Sequence, residues 1–323
     1  MDHRAGSFWM QLRDQYDKNE EVTISDAAVA DGGGGGPKEG ETTNSKSEQV
    51  VFDPSQFSLC YGRLSGGSGA LTLGGSDHLL HLSPMVYAMN VTPKGGWYAV
   101  RIKAIFLRSN HDDHRQYVRM QANEDALNGS PNDDKGVIVD SGTTDTYLPL
   151  VLDQPFQAAW KEVLGGGDGE AVGVKDYDNN PTYMTAEEVN SLPEIVVVLR
   201  GHEPSNTNVK IGDAIGLASS HAEMSTQLPP NNIDSPNALP LIAGTDVVVV
   251  IPPTHYMEES MLHPGYYAAR FYLTERTGSQ PILGSNFIMG HDVHFDNGQG
   301  NRIGFAESDC DYSNYLEKSN NVL

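Results

Sequence analysis

Residues 137–144 constrain the fold of this chain more than any other stretch. They read Val-Ile-Val-Asp-Ser-Gly-Thr-Thr, and no other Asp-Ser-Gly or Asp-Thr-Gly triplet occurs in the 323 residues. The β-branched run at 137–139 is typical of a buried strand. Gly142 permits a tight turn that a residue with a Cβ atom would resist. The stretch therefore predicts a strand that leads directly into a glycine turn.

The aspartate in this turn is the candidate functional residue of the chain. A carboxylate at the end of a rigid strand is held accurately, which suits a general acid or base. Asp140 is followed by Ser141, Thr143 and Thr144, whose hydroxyls can donate hydrogen bonds to its oxygens. An ordinary Asp-Gly type turn is the simpler interpretation of the triplet alone, so the functional one depends on residues elsewhere.

From residue 51 onwards the chain alternates short β-type runs with turn residues. One helix is predicted over 149–164, because apolar residues at 152, 156, 159, 160 and 163 share a face. Residues 108–135 and 200–240 are polar or turn-rich and are expected to form excursions between strands. Many short strands with few short helices predict an all-β fold. The predicted strands cover 57–61, 70–73, 86–90, 97–107, 137–139, 195–199, 209–211, 247–251, 271–273, 282–283, 293–296 and 302–306.

The two ends of the chain differ in pattern from the middle. Residues 1–20 show a helical spacing of apolar side chains. Residues 21–50 are low in complexity, with unbroken glycine at 32–36, and are expected to be a disordered linker or loop. No Lys-Ser or Lys-Thr follows these glycines at the spacing of a phosphate-binding loop, which argues against a nucleotide site. Residues 313–323 are predicted to be a tail.

The net charge of the chain limits the kinds of molecule that it is expected to bind. It carries 43 acidic and 21 basic residues, a formal net charge of −22 at pH 7. This acidity argues against nucleic acid or an anionic membrane as the partner. No run of 18 apolar residues occurs, so no transmembrane helix is predicted. The charge suits either simple solubility or an acidic compartment, and no cofactor is indicated.

Paired histidines raise the question of a metal site. On a strand, a three-residue step places side chains on opposite faces, which argues against the first and third pairs. The second pair lies in a polar loop, and we predict no metal site in the chain. No Gly-x-Ser-x-Gly elbow supports a serine hydrolase either. The His-x-x-His pairs are His78/His81, His111/His114 and His291/His294.

Several motifs, taken in their order along the chain, resemble the C-terminal lobe of pepsin-like aspartic proteases. Each motif is weak alone, but the order is specific and spans residues 51–312. The resemblance implies a pepsin-like acid protease lobe over 51–312, with 1–20 as the helical end of a preceding lobe. Besides the Asp140 stretch, the matching segments are 56–60, 74–77, 96–102, 147–149, 281–284 with Phe287, 294–296, 302–306 and 309–310.

The resemblance implies an activity and a role for each site residue. It implies an aspartic-type endopeptidase in which two aspartates, one from each lobe, activate a water molecule, with Asp140 as one of them. Thr143 is then expected to hydrogen-bond an oxygen of Asp140, and Ser141 is expected to contact the matching hydroxyl of the other lobe. Gly142 and Thr144 complete the support of the dyad.

The resemblance also implies a disulfide and a compartment. Cys60 and Cys310 are the only cysteines, and related proteases have a bridge between these places. A secretory-pathway protein, extracellular or vacuolar/lysosomal, is therefore expected. Glycosylation sequons at Asn90 and Asn128 give this location mild support.

The chain departs from the family in having one Asp triplet and no tyrosine-bearing flap motif. We therefore expect it to begin shortly before the second half of such a protease, with a missing N-terminal lobe and a peptide or protein substrate as its partners. Carboxylate-based hydrolysis needs two carboxylates, so the chain alone is expected to be inactive. Two alternatives stay open: a catalytically inactive binding or inhibitor-like protein with the same fold, and a homodimer of Asp140 loops. The homodimer is disfavoured because no flap is evident.

Overall fold

The computed structural model describes most of the region predicted to form the lobe. The described residues are 53, 55–62, 69–92, 96–109, 117–129, 135–165, 176–206, 245–274, 280–298 and 300–310. The predictions for residues 1–50, 209–211 and 313–323, for most of 200–240 and for the pair His111/His114 lie outside them.

Strands dominate the described residues, and helices are few and short, which confirms the prediction of a mainly β fold. Within these residues the strands are β1 Gln56–Tyr61, β2 Gly69–Leu73, β3 Val86–Met89, β4 Ala99–Val100, β5 Ile102–Arg108, β6 Tyr117–Arg119, β7 Val137–Val139, β8 Thr146–Leu148, β9 Thr182–Tyr183, β10 Glu194–Leu199, β11 Val247–Ile251, β12 Met257–Glu259, β13 Tyr266–Ala269, β14 Phe271–Leu273, β15 Ile282–Leu283, β16 His291–Asp296 and β17 Arg302–Glu307. The helices are α1 Glu124–Leu127, α2 Asp153–Gly165, α3 Ala186–Asn190, α4 Glu203–Asn206, α5 Pro253–Tyr256 and α6 Ser285–Ile288, with 3-10 turns at His78–Leu80 and Leu150–Leu152.

The strands form four sheets that differ in size and in strand direction. The first is antiparallel, in the order β2-β1-β16-β17-β3, and the second is antiparallel in the order β11-β10-β5-β6. The third is a small sheet, β12-β13-β9. The fourth, β14-β8-β15-β7-β4, mixes parallel and antiparallel pairs and carries the candidate site.

The hydrophobic core is centred on the second sheet. Its central strand β10 has no solvent exposure from Ile195 to Leu199, because the strand is covered on both faces. Helix α2 packs against β5 and β6. The predicted helix at 149–164 is observed as the 3-10 turn followed by α2, and its apolar stripe is buried. The stripe consists of Leu152, Phe156, Ala159, Trp160 and Val163.

Two predictions for this region are wrong in detail. The expected single strand over 97–107 is divided at Arg101, because β4 pairs with β7 of the fourth sheet whereas β5 pairs with β10 of the second. The expected polar excursion over 108–135 contains β6 and α1. It packs Met120 and Leu127 into the interior, each 1% exposed. These apolar stretches are too short to show a period in the sequence.

The predicted disulfide is confirmed. Cys60 in β1 and Cys310 after β17 are bonded, with Cα atoms 5.2 Å apart and a separation of 250 positions in sequence. Both cysteines are buried and pack against Leu80 of the first 3-10 turn. The bond joins the first strand of the described lobe to its last described residue.

Replacing both Cys60 and Cys310 by Ala should destabilise the fold. Closing a loop of this length restricts the unfolded chain, so the free energy of unfolding should fall by about 2–5 kcal/mol. Urea unfolding at neutral pH measures the difference, and a reductant should lower the stability of the wild type towards that of the variant. If variant and wild type unfolded at the same urea concentration, the bond would contribute nothing.

Candidate active site

The candidate site is built at the end of strand β7. Backbone hydrogen bonds hold the strand on both sides, from the Val139 N–H to the Tyr98 carbonyl at 2.8 Å and from the Asp140 N–H to the Leu283 carbonyl at 2.9 Å. The strand is therefore fixed up to the aspartate itself. Asp140 stands half-buried at the start of the turn, as the sequence predicts.

Both oxygens of the Asp140 carboxylate accept hydrogen bonds from its own turn. The Gly142 N–H donates to Oδ1 at 2.9 Å, and the Thr143 hydroxyl donates to Oδ2 at 2.6 Å. The bond expected from Thr143 is thus present. Two donors aimed at one carboxylate fix its orientation.

The two other hydroxyl residues of the turn contribute through their backbones. The Thr144 side chain is exposed, and the Thr144 carbonyl accepts hydrogen bonds from the Asn286 N–H at 3.1 Å and the Ser285 hydroxyl at 3.2 Å, both in helix α6. The Ser141 carbonyl accepts a 3.5 Å bond from the hydroxyl of Tyr61. The contact of the Ser141 side chain with another lobe stays a prediction.

A glycine lies directly beneath the turn. Strand β15 runs between β7 and β8, the two strands that the Asp140 turn connects, and Gly284 follows it. A Cβ atom at Gly284 would lie 2.2 Å from the Asp145 carbonyl oxygen and 2.7 Å from that of Thr143. The next N–H, of Ser285, donates to the Thr143 carbonyl at 2.7 Å. The turn can therefore pack this closely only on a glycine.

A buried polar pair fixes the far side of the turn, and the sequence did not reveal it. The Thr146 hydroxyl donates to Asn286 Oδ1 at 2.8 Å, and Asn286 Nδ2 donates to the Arg270 carbonyl at 2.9 Å. Thr146 and Asn286 are both buried. They are 140 positions apart. An asparagine in a short helix after a strand carries no signal of such a role until the fold brings the two together.

A second carboxylate near the turn has a different environment. Asp145 is 7% exposed and accepts hydrogen bonds from Arg270 Nε at 2.7 Å and from the Tyr147 hydroxyl at 3.1 Å. Because this carboxylate is already paired with the Arg270 guanidinium, we assign Asp145 a structural role and not that of the second aspartate of a dyad.

The histidine pairs do not form a metal centre in the described chain. His78 and His81 are not on a strand, as had been expected, but border a 3-10 turn capped by Asp77, and their ring centroids are 5.2 Å apart. His81 pairs with buried Asp292 at 2.8 Å. No group of three His, Cys, Asp or Glu side chains suitable for a metal occurs among the described residues.

His294 lies on a buried polar face of the first sheet. It is 4% exposed, and its Nδ1 is 3.3 Å from the hydroxyl of Tyr87. Burial lowers the pKa of His294, against an opposing effect of the nearby carboxylates of Asp296 and Asp292. The imidazole is therefore held neutral below the pH at which an exposed histidine gains a proton.

The glycosylation interpretation of the two sequons is not supported. Asn90 is 4% exposed and its Oδ1 accepts hydrogen bonds from the Thr92 and Ala99 N–H groups. Asn128 is 3% exposed and its amide bonds both the N–H and the carbonyl of Ile102. Both side chains hold the backbone together inside the fold, where a glycan has no room.

No protein-family model matches the chain, and no curated protein sequence matches it. In the part of the chain that the structure describes, no helix is both long and apolar enough to cross a membrane. The function of the chain is therefore inferred from its residues and from the geometry of the Asp140 turn.

Gly284→Ala should distort the site and destabilise the fold. The new methyl group meets backbone atoms rather than a mobile side chain, so we expect a loss of about 1–3 kcal/mol in the free energy of unfolding. Ser285→Ala is the matched control, because it adds no atom beneath the turn and removes only the exposed hydroxyl that donates to the Thr144 carbonyl at 3.2 Å. Chemical unfolding of the two variants checks this, and equal stabilities would contradict the close contact.

His294→Gln should reduce the acid sensitivity of the fold. Because the folded pKa of His294 is lowered, the unfolded chain binds the proton first, and stability falls as the pH drops below about 6.5. One such group contributes a slope of at most about 1.4 kcal/mol per pH unit. Urea unfolding between pH 5 and 7.5 should give a shallower slope for His294→Gln and an unchanged slope for the exposed control His263→Gln.

Proposed function

We propose that this chain is the C-terminal catalytic lobe of a pepsin-like aspartic endopeptidase, with Asp140 as one half of its aspartate dyad. The observation that carries the proposal is the environment of Asp140. A half-exposed carboxylate stands at the end of a rigid strand, held by the Gly142 N–H and the Thr143 hydroxyl over the β15 crossing. The motif order along residues 51–312 supports the same family.

The chemistry assigns a limited part of the reaction to this lobe. Peptide hydrolysis needs one ionised carboxylate to take a proton from water and one protonated carboxyl group to polarise the substrate carbonyl. Asp140 supplies one of the two groups. Gly142 and Thr143 orient it, and the close packing of the turn on Gly284 keeps the turn rigid.

The second carboxylate comes from outside this lobe. The 323 residues hold one Asp-Ser-Gly triplet, and the nearby Asp145 is paired with Arg270. A complementary lobe with its own aspartate, facing Asp140 across an extended peptide, completes the site. The Cys60–Cys310 disulfide is compatible with the proposed secretory, extracellular or vacuolar location.

A binding protein that keeps the fold without hydrolysis is the second candidate. The observation that favours it is the single aspartate triplet, since one carboxylate does not fill both roles. In that case Asp140 would position a bound peptide through hydrogen bonds and no bond would be cleaved. The two candidates differ only in what happens when a second aspartate is supplied.

The decisive experiment supplies that second aspartate. The chain is fused behind the amino-terminal lobe of a pepsin-like protease, and hydrolysis of a fluorogenic peptide library is measured from pH 3 to 7. The fusion should cleave at acidic pH, while the chain alone should not. Asp140→Asn in the fusion should lower kcat by about a thousandfold or more. Glu162→Gln, an exposed change on α2 away from the turn, is the control and should change kcat little.

Two results would contradict the proposal in different ways. A folded fusion that binds peptides without Asp140-dependent cleavage would favour the binding protein. Cleavage by the chain alone, abolished by Asp140→Asn and rising with the square of protein concentration, would show that two copies pair their Asp140 turns.

A further inference from the structure

A large cavity adjoins the Asp140 turn but is not part of the carboxylate site. Its volume is about 910 Å³, and Thr144 of the turn and Ser285 at the start of helix α6 form part of its wall. Asp140 itself does not line it. Helices α3 and α5 and the hairpin of β12 and β13 form most of the rest of the wall, which is completed by Asp145, Arg270, Asn286 and Met289. A ligand in the cavity would therefore lie beside the proposed catalytic residue.

The wall is mainly apolar. A cavity of this kind is the usual form of a small binding site, where apolar surface provides contact and a few polar groups select the ligand. Met257 and Met261 of the wall have long, unbranched side chains, which can adjust their conformation to the shape of a ligand. Met261 at the tip of the hairpin is 97% exposed, and the adjacent Leu262 is 85% exposed. The apolar residues of the wall are Ala186, Val189, Met257, Met261, Pro264 and Met289.

The charged groups of the wall are predominantly acidic. Arg270 is already shared, since its Nε is 2.7 Å from Asp145 Oδ1 and 3.0 Å from Glu258 Oε2. Glu259 accepts a hydrogen bond from the Gly265 N–H at 2.8 Å, which leaves its charge uncompensated. Three carboxylates against one guanidinium give the ionised wall a net charge of −2. An acidic ligand group would be repelled, whereas a cation would be attracted.

A long aliphatic stem with a cationic end matches both properties of the cavity. Lysine and arginine side chains lay their methylene groups along apolar surface and keep the charged end at a polar rim. Here the stem would contact Met257 and Met261, and the cation would lie near Glu258 and Glu259. The net charge of −22 on the whole chain adds a long-range attraction for basic peptides.

We propose that this cavity is a specificity pocket for a lysine or arginine side chain of a bound peptide. The proposal deepens the endopeptidase function and rests on it for the origin of the peptide. The binding step itself involves only this lobe, so it can be tested without hydrolysis.

The test measures binding of three short peptides that differ at one position. The position carries lysine, the uncharged near-isostere norleucine, or glutamate, in an alanine-serine background. Binding to the full chain at neutral pH is followed by NMR of methyl-labelled methionine, with the Met257 and Met261 signals assigned by substitution with Leu. The lysine peptide should shift these two signals and bind about tenfold or more tightly than the norleucine peptide.

Paired charge variants separate the pocket from the overall charge of the chain. Glu258→Gln with Glu259→Gln should weaken lysine-peptide binding about tenfold or more. Glu162→Gln, an exposed change on α2 away from the cavity, should alter it less than twofold. Thermal unfolding of each variant confirms that the fold is intact, and raising the salt concentration should reduce the preference for lysine.

The outcomes also separate this proposal from the protease proposal. Three results would overturn the pocket assignment, whether or not the fusion cleaves peptides. They are equal binding of the norleucine and lysine peptides, tighter binding of the glutamate peptide, and no shift of the Met257 and Met261 signals. Lysine-selective binding by a lobe whose fusion does not cleave would keep the pocket and reject the endopeptidase. Cleavage by the fusion with no preference for basic residues would keep the endopeptidase and reject the pocket.

Discussion

The close packing of Gly284 under the Asp140 turn is the contact on which the rest of the site depends. Because Gly284 has no side chain, the turn packs directly against the end of β15. The Ser285 N–H then donates a hydrogen bond to the Thr143 carbonyl at 2.7 Å. Buried backbone groups need partners, so these bonds leave the turn a single arrangement. The direction of the Asp140 carboxylate then follows from the donors at Gly142 and Thr143.

Two aspartates that are five positions apart, Asp140 and Asp145, lie in different environments. Asp145 is buried and bound to Arg270, because an unpaired charge inside the fold would be costly. Asp140 is half-exposed, and its partners are neutral donors rather than a cation. The Asp140 carboxylate is therefore accessible to a bound molecule, whereas the Asp145 carboxylate is enclosed in its own ion pair.

The sequence predicted the parts of the site that depend on local chemistry. Strand β7 and the turn at Gly142 were predictable, since a β-branched run and a glycine act within a few residues. The bond between Thr146 and Asn286 was not, because it joins side chains 140 positions apart. The helical turn at His78–Leu80 was mistaken for a strand, since three residues are too few to show a period.

The first sheet buries two polar pairs that depend on the position of its strands. On one face of β16, Asp292 lies 2.8 Å from His81 and Asp296 lies 2.9 Å from Arg302. A buried polar group is costly unless its partner stays within reach, so these pairs require that the neighbouring strands do not separate. Cys60 lies directly opposite Asp292 in the pairing of β1 with β16, and the disulfide joins β1 to the segment that follows β17. Because β1 and β17 are the two strands that flank β16, the covalent bond holds together the strands on either side of the buried pairs.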